Sequence, residues 1–232
     1  MLKADKINLF YGKSQILYDI DLQAQKGEVT CVLGTNGVGK TSLMRAISGS
    51  HLISSGKILL DDQDLTNVPS FRRAQAGIAY VPQGRDIFPL LSVEENLQTG
   101  YSCLQAKDQR IPAFIYEMFP ILKKMKSRKG GDLSGGQQQQ LAIARALITK
   151  PKVLILDEPT EGIQPNIIIQ IGEIIDLLKS KGDMAIILVE QYFDFAFQLA
   201  DHFYTLKRGT VTMNSSKSAI YRKDVLEKVT VK

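Results

Sequence analysis

The sequence predicts a single α/β domain in which helices wrap a parallel sheet. Short apolar runs alternate with stretches of helical spacing, a pattern typical of parallel strands joined by helices. Two regions break this alternation: residues 1–25 have the pattern of an antiparallel hairpin, and residues 88–149 contain no clear strand. We therefore expect an N-terminal antiparallel β hairpin region and an inserted helical subdomain within one domain of residues 1–232.

The predicted elements divide this domain into two lobes and a tail. The core lobe comprises about residues 1–87 and 150–213, the helical lobe about residues 88–149, and the tail residues 214–232. Core strands are expected on both sides of the insert. One compact domain with two lobes therefore fits better than two independent domains.

Length and composition exclude several classes of protein. The 232 residues are 44% hydrophobic and 23% charged, the balance of a soluble globular protein and not of a disordered chain or a coiled coil. No apolar run approaches the length of about 18 residues that a membrane span needs, and the first ten residues carry no apolar signal core. The two cysteines, Cys31 and Cys103, are too far apart for a CxxC motif. These observations predict a cytoplasmic protein.

The elements are assigned in chain order from apolar runs, helical spacing and turn residues. The N-terminal hairpin has strands around Leu2–Phe10 and Gln15–Gln23. Further strands are expected at Val29–Leu33, Lys57–Leu60, Gly77–Val81, Val153–Asp157, Met184–Val189 and Phe203–Leu206. Helices are expected at Lys40–Ser48, after Ser92, near Ala113, near Ser134, from Ile167 to Leu178 and near Tyr192–Ala200.

A glycine-rich motif follows the strand Val29–Leu33 and opens the first helix. The pattern GxxxxGK[ST] is matched by Gly34, Thr35, Asn36, Gly37, Val38, Gly39, Lys40 and Thr41, with Ser42 next. Such a loop curls so that backbone N–H groups and the helix N-terminus face phosphate. Lys40 reaches the outer phosphates, and the Thr41 hydroxyl can ligate Mg²⁺. These nucleotide-binding residues predict a P-loop NTPase (RecA-like) core, with kinases, GTPases, helicases and transport ATPases all still open.

Two acids end the strand that begins at Val153. In a P-loop protein the first acid, Asp157, belongs beside the magnesium ion. The second, Glu158, can orient an attacking water and take its proton. Acids at a strand end can also be merely solvated. Behind a phosphate loop, however, a carboxylate poised for water favours hydrolysis over transfer to a substrate hydroxyl.

A second glycine-rich motif opens the last helix of the insert and consists of Leu133, Ser134, Gly135, Gly136 and Gln137. Ser134 is a good helix N-cap and the glycines allow close backbone approach, so this helix end is also suited to an anion. With the phosphate loop and the acidic strand end, this signature makes the chain closely resemble the ATP-binding subunit of ATP-binding-cassette (ABC) transporters. The resemblance extends from Tyr11 to about Gly209.

The resemblance implies a magnesium and nucleotide site. ATP and Mg²⁺ are the expected cofactors, with Thr41, Gln83 and Asp157 at the metal and Glu158 as a catalytic residue. Tyr11 matches the aromatic residue that stacks on adenine.

The resemblance also implies partners. The signature closes over the ATP that a second ABC ATPase subunit holds, so that ATP joins two subunits head to tail. Two integral membrane permease subunits and an external solute-binding protein complete such a system, and nucleic acid has no part in it. The segment Gly84–Leu91 is expected near the surface that docks a permease. The chain would then be peripheral on the inner face of the membrane.

The chain departs from the family at two places. Gln191 stands where a histidine usually follows the strand Met184–Val189, and it is the second expected catalytic residue. Glutamine can donate a hydrogen bond to phosphate, but it carries neither a proton to transfer nor a charge. The turn after Glu158 reads Glu161-Gly162-Ile163-Gln164 in place of the common Ser-Ala-Leu-Asp. We expect hydrolysis at this site to be slowed and a heterodimer with a related chain that keeps the histidine.

At these departures the sequence resembles the ATP-binding chains of importers of branched-chain amino acids and urea. The runs Gly130–Gln140 and Gly182–Ile186 are most like the urea-type ATP-binding subunit, so urea is the expected cargo. A branched-chain amino acid, or another amide or amino acid, is the alternative. A soluble ABC protein acting on nucleic acid or ribosomes fits less well, because such proteins usually carry two cassettes or a long coiled insert.

Overall fold

The structure is a computed structural model and describes residues 1–230. Its strands are β1 (Leu2–Tyr11), β2 (Ser14–Ala24), β3 (Val29–Leu33), β4 (Ser55–Leu60), β5 (Gln63–Asp64), β6 (Ile78–Val81), β7 (Val153–Asp157), β8 (Ala185–Glu190), β9 (His202–Lys207) and β10 (Thr210–Ser216). Its α-helices are α1 (Lys40–Ser48), α2 (Ser70–Ala76), α3 (Val93–Gln98), α4 (Ala113–Met118), α5 (Pro120–Lys124), α6 (Gly135–Ile148), α7 (Pro165–Ser180), α8 (Phe193–Leu199) and α9 (Arg222–Thr230).

The larger sheet has the strand order β10-β9-β3-β8-β7-β6. All neighbours in it are parallel except the edge pair β10 and β9, which is antiparallel. Every residue of β3, β7 and β8 is buried, as expected for parallel strands covered on both faces. The parallel core that the alternating pattern predicts is therefore present.

Successive side chains of β7 pack on opposite faces of this sheet. Val153 and Ile155 join the apolar core under the smaller sheet and α1, whereas Leu154 and Leu156 join the core that α6, α7 and α8 cover. This alternation follows from the two-residue period of a strand. It leaves Asp157 at the carboxyl end of β7, level with the end of β3 and the phosphate loop.

The smaller sheet is antiparallel, with the strand order β2-β1-β4-β5. The expected N-terminal hairpin forms two of its strands. The strand predicted at Lys57–Leu60 also belongs here and not to the parallel sheet. Its burial alternates, with Ile58 and Leu60 buried and Lys57 exposed, so only one of its faces meets the core.

The described residues between β6 and β7 form helices and short 3-10 turns. Helices α3 and α6 begin with the same device, a capping box. Ser92 caps α3 with Glu95, and Ser134 caps α6 with Gln137. The helix starts predicted after Ser92 and near Ser134 are confirmed by these caps.

A buried arginine joins α2 to the end of α1. Arg73 is only 1% exposed. Its guanidinium donates to the carbonyls of Ala46 and Ile47 at 2.6 and 2.8 Å, and to those of Thr66 and Val68 at 3.0 and 2.8 Å. The last carbonyls of a helix have no partner within the helix, so Arg73 completes the C-terminal end of α1.

The C-terminal residues pack on the core. The predicted start of the tail, residue 214, falls within β10, and Val225 of α9 is fully buried. Residues 231 and 232 of the predicted tail lie outside the described residues. Within residues 1–230, no helix is both long and apolar enough to cross a membrane.

Candidate active site

The phosphate loop connects Leu33, which ends β3, to Lys40, which begins α1. Gly39 is the N-cap of α1 and has a φ of 109°, a left-handed conformation that favours glycine. A Cβ at this position would lie 2.8 Å from Leu17 Cδ2. A glycine cap also brings no side chain to the first N–H groups of α1, which remain available to an anion.

Lys40 connects the phosphate loop to the acidic end of β7. Its side chain is 4% exposed. The ammonium donates to the carbonyls of Gly34 at 2.8 Å and Thr35 at 3.1 Å, and it lies 3.2 Å from Glu158 Oε1. These three contacts match the three donors of an ammonium group.

Glu158 is held by its backbone and by both side-chain oxygens. Its φ of 49° is uncommon for a residue with a side chain, and such conformations cluster at functional sites. The backbone N–H donates to the carbonyl of Val189 at 2.9 Å. Oε1 faces Lys40, while Oε2 accepts from Gln191 Nε2 at 2.9 Å and from Gln83 Nε2 at 3.3 Å. The structure therefore brings both expected catalytic residues, Glu158 and Gln191, into contact.

Asp157 is 1% exposed and has one oxygen without a partner. Tyr80 donates to Oδ2 at 3.0 Å, whereas no group among the described residues donates to Oδ1. Burial raises the pKa of Asp157, and the hydrogen bond from Tyr80 and the nearby Thr41 hydroxyl oppose that rise. A buried carboxylate oxygen without a donor, beside a threonine hydroxyl, fits a cation or a cation-bound water.

This donor set fits Mg²⁺ in particular. The described residues contain no cluster of three or more His, Cys, Asp or Glu side chains that could hold a metal alone. Mg²⁺ is commonly bound by one or two protein oxygens together with substrate phosphates and water. Thr41 and Asp157 supply two such oxygens next to the phosphate loop.

An open cavity of about 430 Å³ adjoins these groups. It is lined by Tyr11, Ile16, Asn36, Gly37, Gly39, Lys40, Thr41, Ser42, Gln83 and Glu158. All of these except Ile16 are residues that the sequence analysis singles out. The remaining loop residues lie behind the cavity: Gly34 and Thr35 hold Lys40, and Val38 packs on the apolar core.

Tyr11 lies at the edge of this cavity and is 39% exposed. Its ring centroid is 4.4 Å from that of His51, at an interplanar angle of 34°. His51 Nε2 is 3.0 Å from the carbonyl oxygen of Phe10. His51 therefore backs one side of the tyrosine ring, a contact that the sequence analysis misses because the two residues lie 40 positions apart.

The signature residues lie away from this cavity, and none of Leu133 to Gln137 lines it. Ser134 accepts from the Gln137 N–H at 3.4 Å, and Gln137 Oε1 accepts from the Ser134 N–H at 3.0 Å. Ser134 is exposed, whereas Gly136 is buried, and a Cβ on it would lie 2.9 Å from Ile167 of α7. The N-terminal end of α6 is therefore exposed at Ser134, while its backbone at Gly136 packs tightly against α7.

The segment after β6 connects the acidic turn after β7 to helix α6. Gln83 donates to Glu161 at 2.8 Å in addition to Glu158. Arg85 lies 3.4 Å from Gln138 Oε1 on α6 and 3.4 Å from the carbonyl oxygen of Glu161. The turn that departs from the family pattern is therefore connected to the helix that carries the signature.

Sequence reasoning misses Tyr80, and it misses the contacts that Glu161 and Arg85 make with other loops and with α6. Tyr80 had one available signal, since it is the only polar side chain in an otherwise apolar strand paired with β7. The contacts of Glu161 and Arg85 had no such signal, because they depend on how two loops approach each other in space.

Comparison with known proteins identifies the family. The family model "ABC transporter" matches residues 17–161. The chain is 41% identical to the high-affinity branched-chain amino acid transport ATP-binding protein BraG of Pseudomonas aeruginosa, over 95% of this chain and 94% of that protein. It is 36% identical to the probable branched-chain amino acid transport ATP-binding protein LivF of Archaeoglobus fulgidus, over 99% and 98% of the two chains.

Solved structures agree in fold. The ADP conformation of MJ1267, an ATP-binding cassette of an ABC transporter, superposes with a TM-score of 0.86 at 27% identity and covers 98% of this chain and 94% of that one. A further ATP-binding subunit of an ABC transporter gives a TM-score of 0.84 at 26% identity, over 97% and 94% of the two chains. The predicted P-loop NTPase fold is thereby confirmed. The chain belongs to the ABC transporter family, as an ATP-binding subunit that hydrolyses ATP.

Proposed function

We propose that this ATPase subunit powers the import of branched-chain amino acids. The observation that carries this proposal is the 41% identity, over nearly the full length of both chains, to a branched-chain amino acid transport ATP-binding protein. The sequence analysis favours urea and keeps branched-chain amino acids as its alternative. The names of the two relatives support the alternative better than urea. The proposal also includes another amide or amino acid as the cargo, since such a molecule is chemically similar to urea and to branched-chain amino acids.

Hydrolysis is assigned to the residues around Lys40 and Glu158. Lys40 exchanges its contact with Glu158 for the outer phosphates of ATP, which frees the Glu158 carboxylate. Glu158 then orients the attacking water and accepts its proton. Bound Mg²⁺ would neutralise charge on the phosphates, and Thr41, Asp157 and Gln83 are the residues that would hold it.

The signature serves a second nucleotide in this proposal. The exposed start of α6 offers backbone N–H groups behind Ser134, and the cavity at this chain's own phosphate loop is not lined by them. Two chains arranged head to tail would bring the helix end of one to the ATP of the other. Because Gln191 cannot carry a proton, we propose a heterodimer whose second chain keeps a histidine there.

The permease contact is assigned to the cleft between the core and the helices of the insert. A cavity of about 330 Å³ lies there, lined by Phe71 from the core side and by Cys103 and Arg145 from the helical side. Phe71 is 60% exposed, an apolar side chain that a partner could cover. The predicted docking segment Gly84–Leu91 adjoins it, since the Arg145 guanidinium lies 5.4 Å from the Phe88 ring centroid. Contact with the two permease subunits would make the chain peripheral on the inner membrane face, while the external solute-binding protein would join the same system on the other side of the membrane.

Uptake measurements test this proposal. Cells that carry Lys40→Ala in place of the natural chain should lose uptake of labelled leucine and keep that of labelled urea. Lys123→Ala, a change at an exposed lysine of α5, is the matched control and should preserve both. Loss of urea uptake alone would return urea as the cargo. Normal uptake of both would favour a role on nucleic acid or ribosomes, which co-purification would then test.

A further inference from the structure

A buried carboxylate outside the nucleotide cavity joins two loops of the site. Glu190 is the last residue of β8 and is 2% exposed. Its Oε1 accepts from the Thr160 hydroxyl at 2.8 Å and from the Thr160 N–H at 3.3 Å. Its Oε2 accepts from the N–H groups of Gln191 at 3.1 Å and Tyr192 at 3.2 Å. One oxygen thus holds the turn after β7, and the other holds the loop before α8.

Glu190 is an unusual residue for connecting two loops, because it is a carboxylate buried without an ion pair in the described part of the chain. Among the ion pairs of residues 1–230, none includes Glu190, so its carboxylate is buried without a bonded cation. Burial raises the pKa of Glu190, and the four hydrogen bonds oppose that rise. A buried carboxylate is costly unless its oxygens are satisfied, and an apolar side chain would fill the same space at less cost. What an apolar residue cannot do is accept hydrogen bonds from two different loops.

Both loops end at the same functional group. Gln191 follows Glu190 directly and donates to Glu158 Oε2 at 2.9 Å. Thr160 follows Glu158 by two residues, and the Glu158 N–H donates to Val189, the neighbour of Glu190. Glu158 therefore lies between the two segments that Glu190 holds together.

We propose that Glu190 is a positioning residue for hydrolysis: it sets the Gln191 amide and the turn at Thr160 so that the Glu158 carboxylate keeps its orientation. This inference rests on the proposed role of Glu158 as the residue that activates water. Glu190 itself touches no reacting atom. It acts through the backbone N–H of Gln191 and the hydroxyl of Thr160.

The first test is Glu190→Gln in the full chain, within the transporter complex purified from its host. The glutamine has nearly the same shape, but its NH₂ group cannot accept a hydrogen bond, so one of the two loops loses its acceptor. We expect kcat for ATP hydrolysis to fall roughly 10- to 100-fold, the effect of a misplaced catalytic group, with KM for ATP unchanged within about twofold. Glu173→Gln, at an exposed glutamate of α7, is the matched control.

A second pair of variants separates positioning from folding. Thr160→Val removes only the hydroxyl donor to Oε1, and Thr160→Ser keeps it. We expect Thr160→Val to lower kcat while the thermal midpoint and the binding of a fluorescent ATP analogue stay near wild type, and Thr160→Ser to stay closer to wild type. The Glu190→Gln and Thr160→Val effects should be less than additive, because both act on the hydrogen bonds of the same side chain.

Three outcomes decide the matter. A wild-type kcat for a folded Glu190→Gln protein overturns the inference. If Glu190→Gln does not fold, a wild-type kcat for Thr160→Val overturns it as well, since Glu190 is then only a structural brace. Glu158→Gln distinguishes the two proposals. If this variant hydrolyses ATP normally, the proposed role of Glu158 is wrong. If it loses hydrolysis while Glu190→Gln has normal kinetics, only the role inferred for Glu190 is wrong.

Discussion

Two helices of this protein begin at glycine-rich motifs, yet their first turns are built differently. Helix α1 begins behind Gly39, which has a left-handed backbone and no capping side chain, and its first residue is buried. Helix α6 begins behind Ser134, whose hydroxyl and partner Gln137 form a capping box on an exposed surface. The α1 end faces a lysine, a glutamate and a cavity from the same chain. The α6 end faces none of them.

The difference separates a site that one chain completes from a surface that needs another. At α1, the N–H groups are left open and charged side chains surround them, as a phosphate site requires. At α6, the cap already satisfies part of the helix end, so the helix is stable without a ligand.

The largest expected effect is at the α1 side. Glu158→Gln keeps the size of the side chain and removes its ability to take a proton, so we expect kcat to fall by at least about 100-fold while ATP binding persists. Steady-state ATPase assays and binding of a fluorescent ATP analogue measure the two quantities. Glu117→Gln, at an exposed position of α4, serves as the control. A kcat within a few fold of wild type would show that another group activates water.

Removal of magnesium is the next test of the α1 side. EDTA should stop hydrolysis, and added Mg²⁺ should restore it. Asp157→Asn should raise the Mg²⁺ concentration for half-maximal rate by roughly 10-fold or more, because the unpartnered Oδ1 is replaced or turned away. Titration of the ATPase rate with Mg²⁺ measures this shift, with Asp176→Asn on α7 as the control. An unchanged titration curve would remove Asp157 from the metal site.

The α6 side is tested by two serines with the same cap. Ser134→Ala and Ser92→Ala each remove the hydroxyl of a capping box, so each should lower the free energy of unfolding by about 1 kcal/mol. Only Ser134→Ala should also lower ATP hydrolysis by the assembled transporter, roughly 10-fold. Chemical denaturation and ATPase assays provide the two measurements. Equal losses of activity in both variants would mean that the signature serves stability alone.

The smallest expected effect concerns Gln191. Gln191→His restores a side chain that can carry a proton, and we expect the ATPase rate of the assembled complex to rise by roughly 3- to 10-fold, below the 100-fold that full acid–base catalysis can supply. Gln198→His, on the exposed side of α8, is the control. An unchanged rate for Gln191→His would end the idea that this glutamine slows hydrolysis.

Local patterns predict those parts of the site that lie within one strand–loop–helix unit. The phosphate loop, Asp157 and the Ser134 cap all follow from a short stretch of sequence, because the same few residues dictate backbone conformation and chemistry. The strand at Lys57–Leu60 is also predicted, but the pattern does not say which of the two sheets holds it. An apolar run as short as Ile58–Leu60 looks the same in either sheet, and only its one-sided burial separates the two cases.

Contacts between distant segments could not be predicted in this way. Tyr80 and Asp157 are 77 positions apart, and Thr160 and Glu190 are 30 apart. Each pair meets because neighbouring strands end at the same edge of the sheet. A single sequence does not specify which strands are neighbours or in what register they pair. The cargo is beyond reach for another reason. In the proposed transporter it contacts the permease and the binding protein, so no side chain of this chain is shaped by it.

Arg73 has a mechanical consequence. Two of its hydrogen bonds, to the carbonyls of Ala46 and Ile47, fasten α2 to the far end of α1, and a nine-residue helix is about 13 Å long. Helix α2 also contributes Phe71 to the proposed permease cleft. A displacement of Phe71 would therefore pass from α2 through the Arg73 guanidinium to the C-terminal end of α1. From there it would reach the phosphate loop along this short, rigid helix. The permease contact and the nucleotide would then act on opposite ends of α1, and the helix would not need to bend.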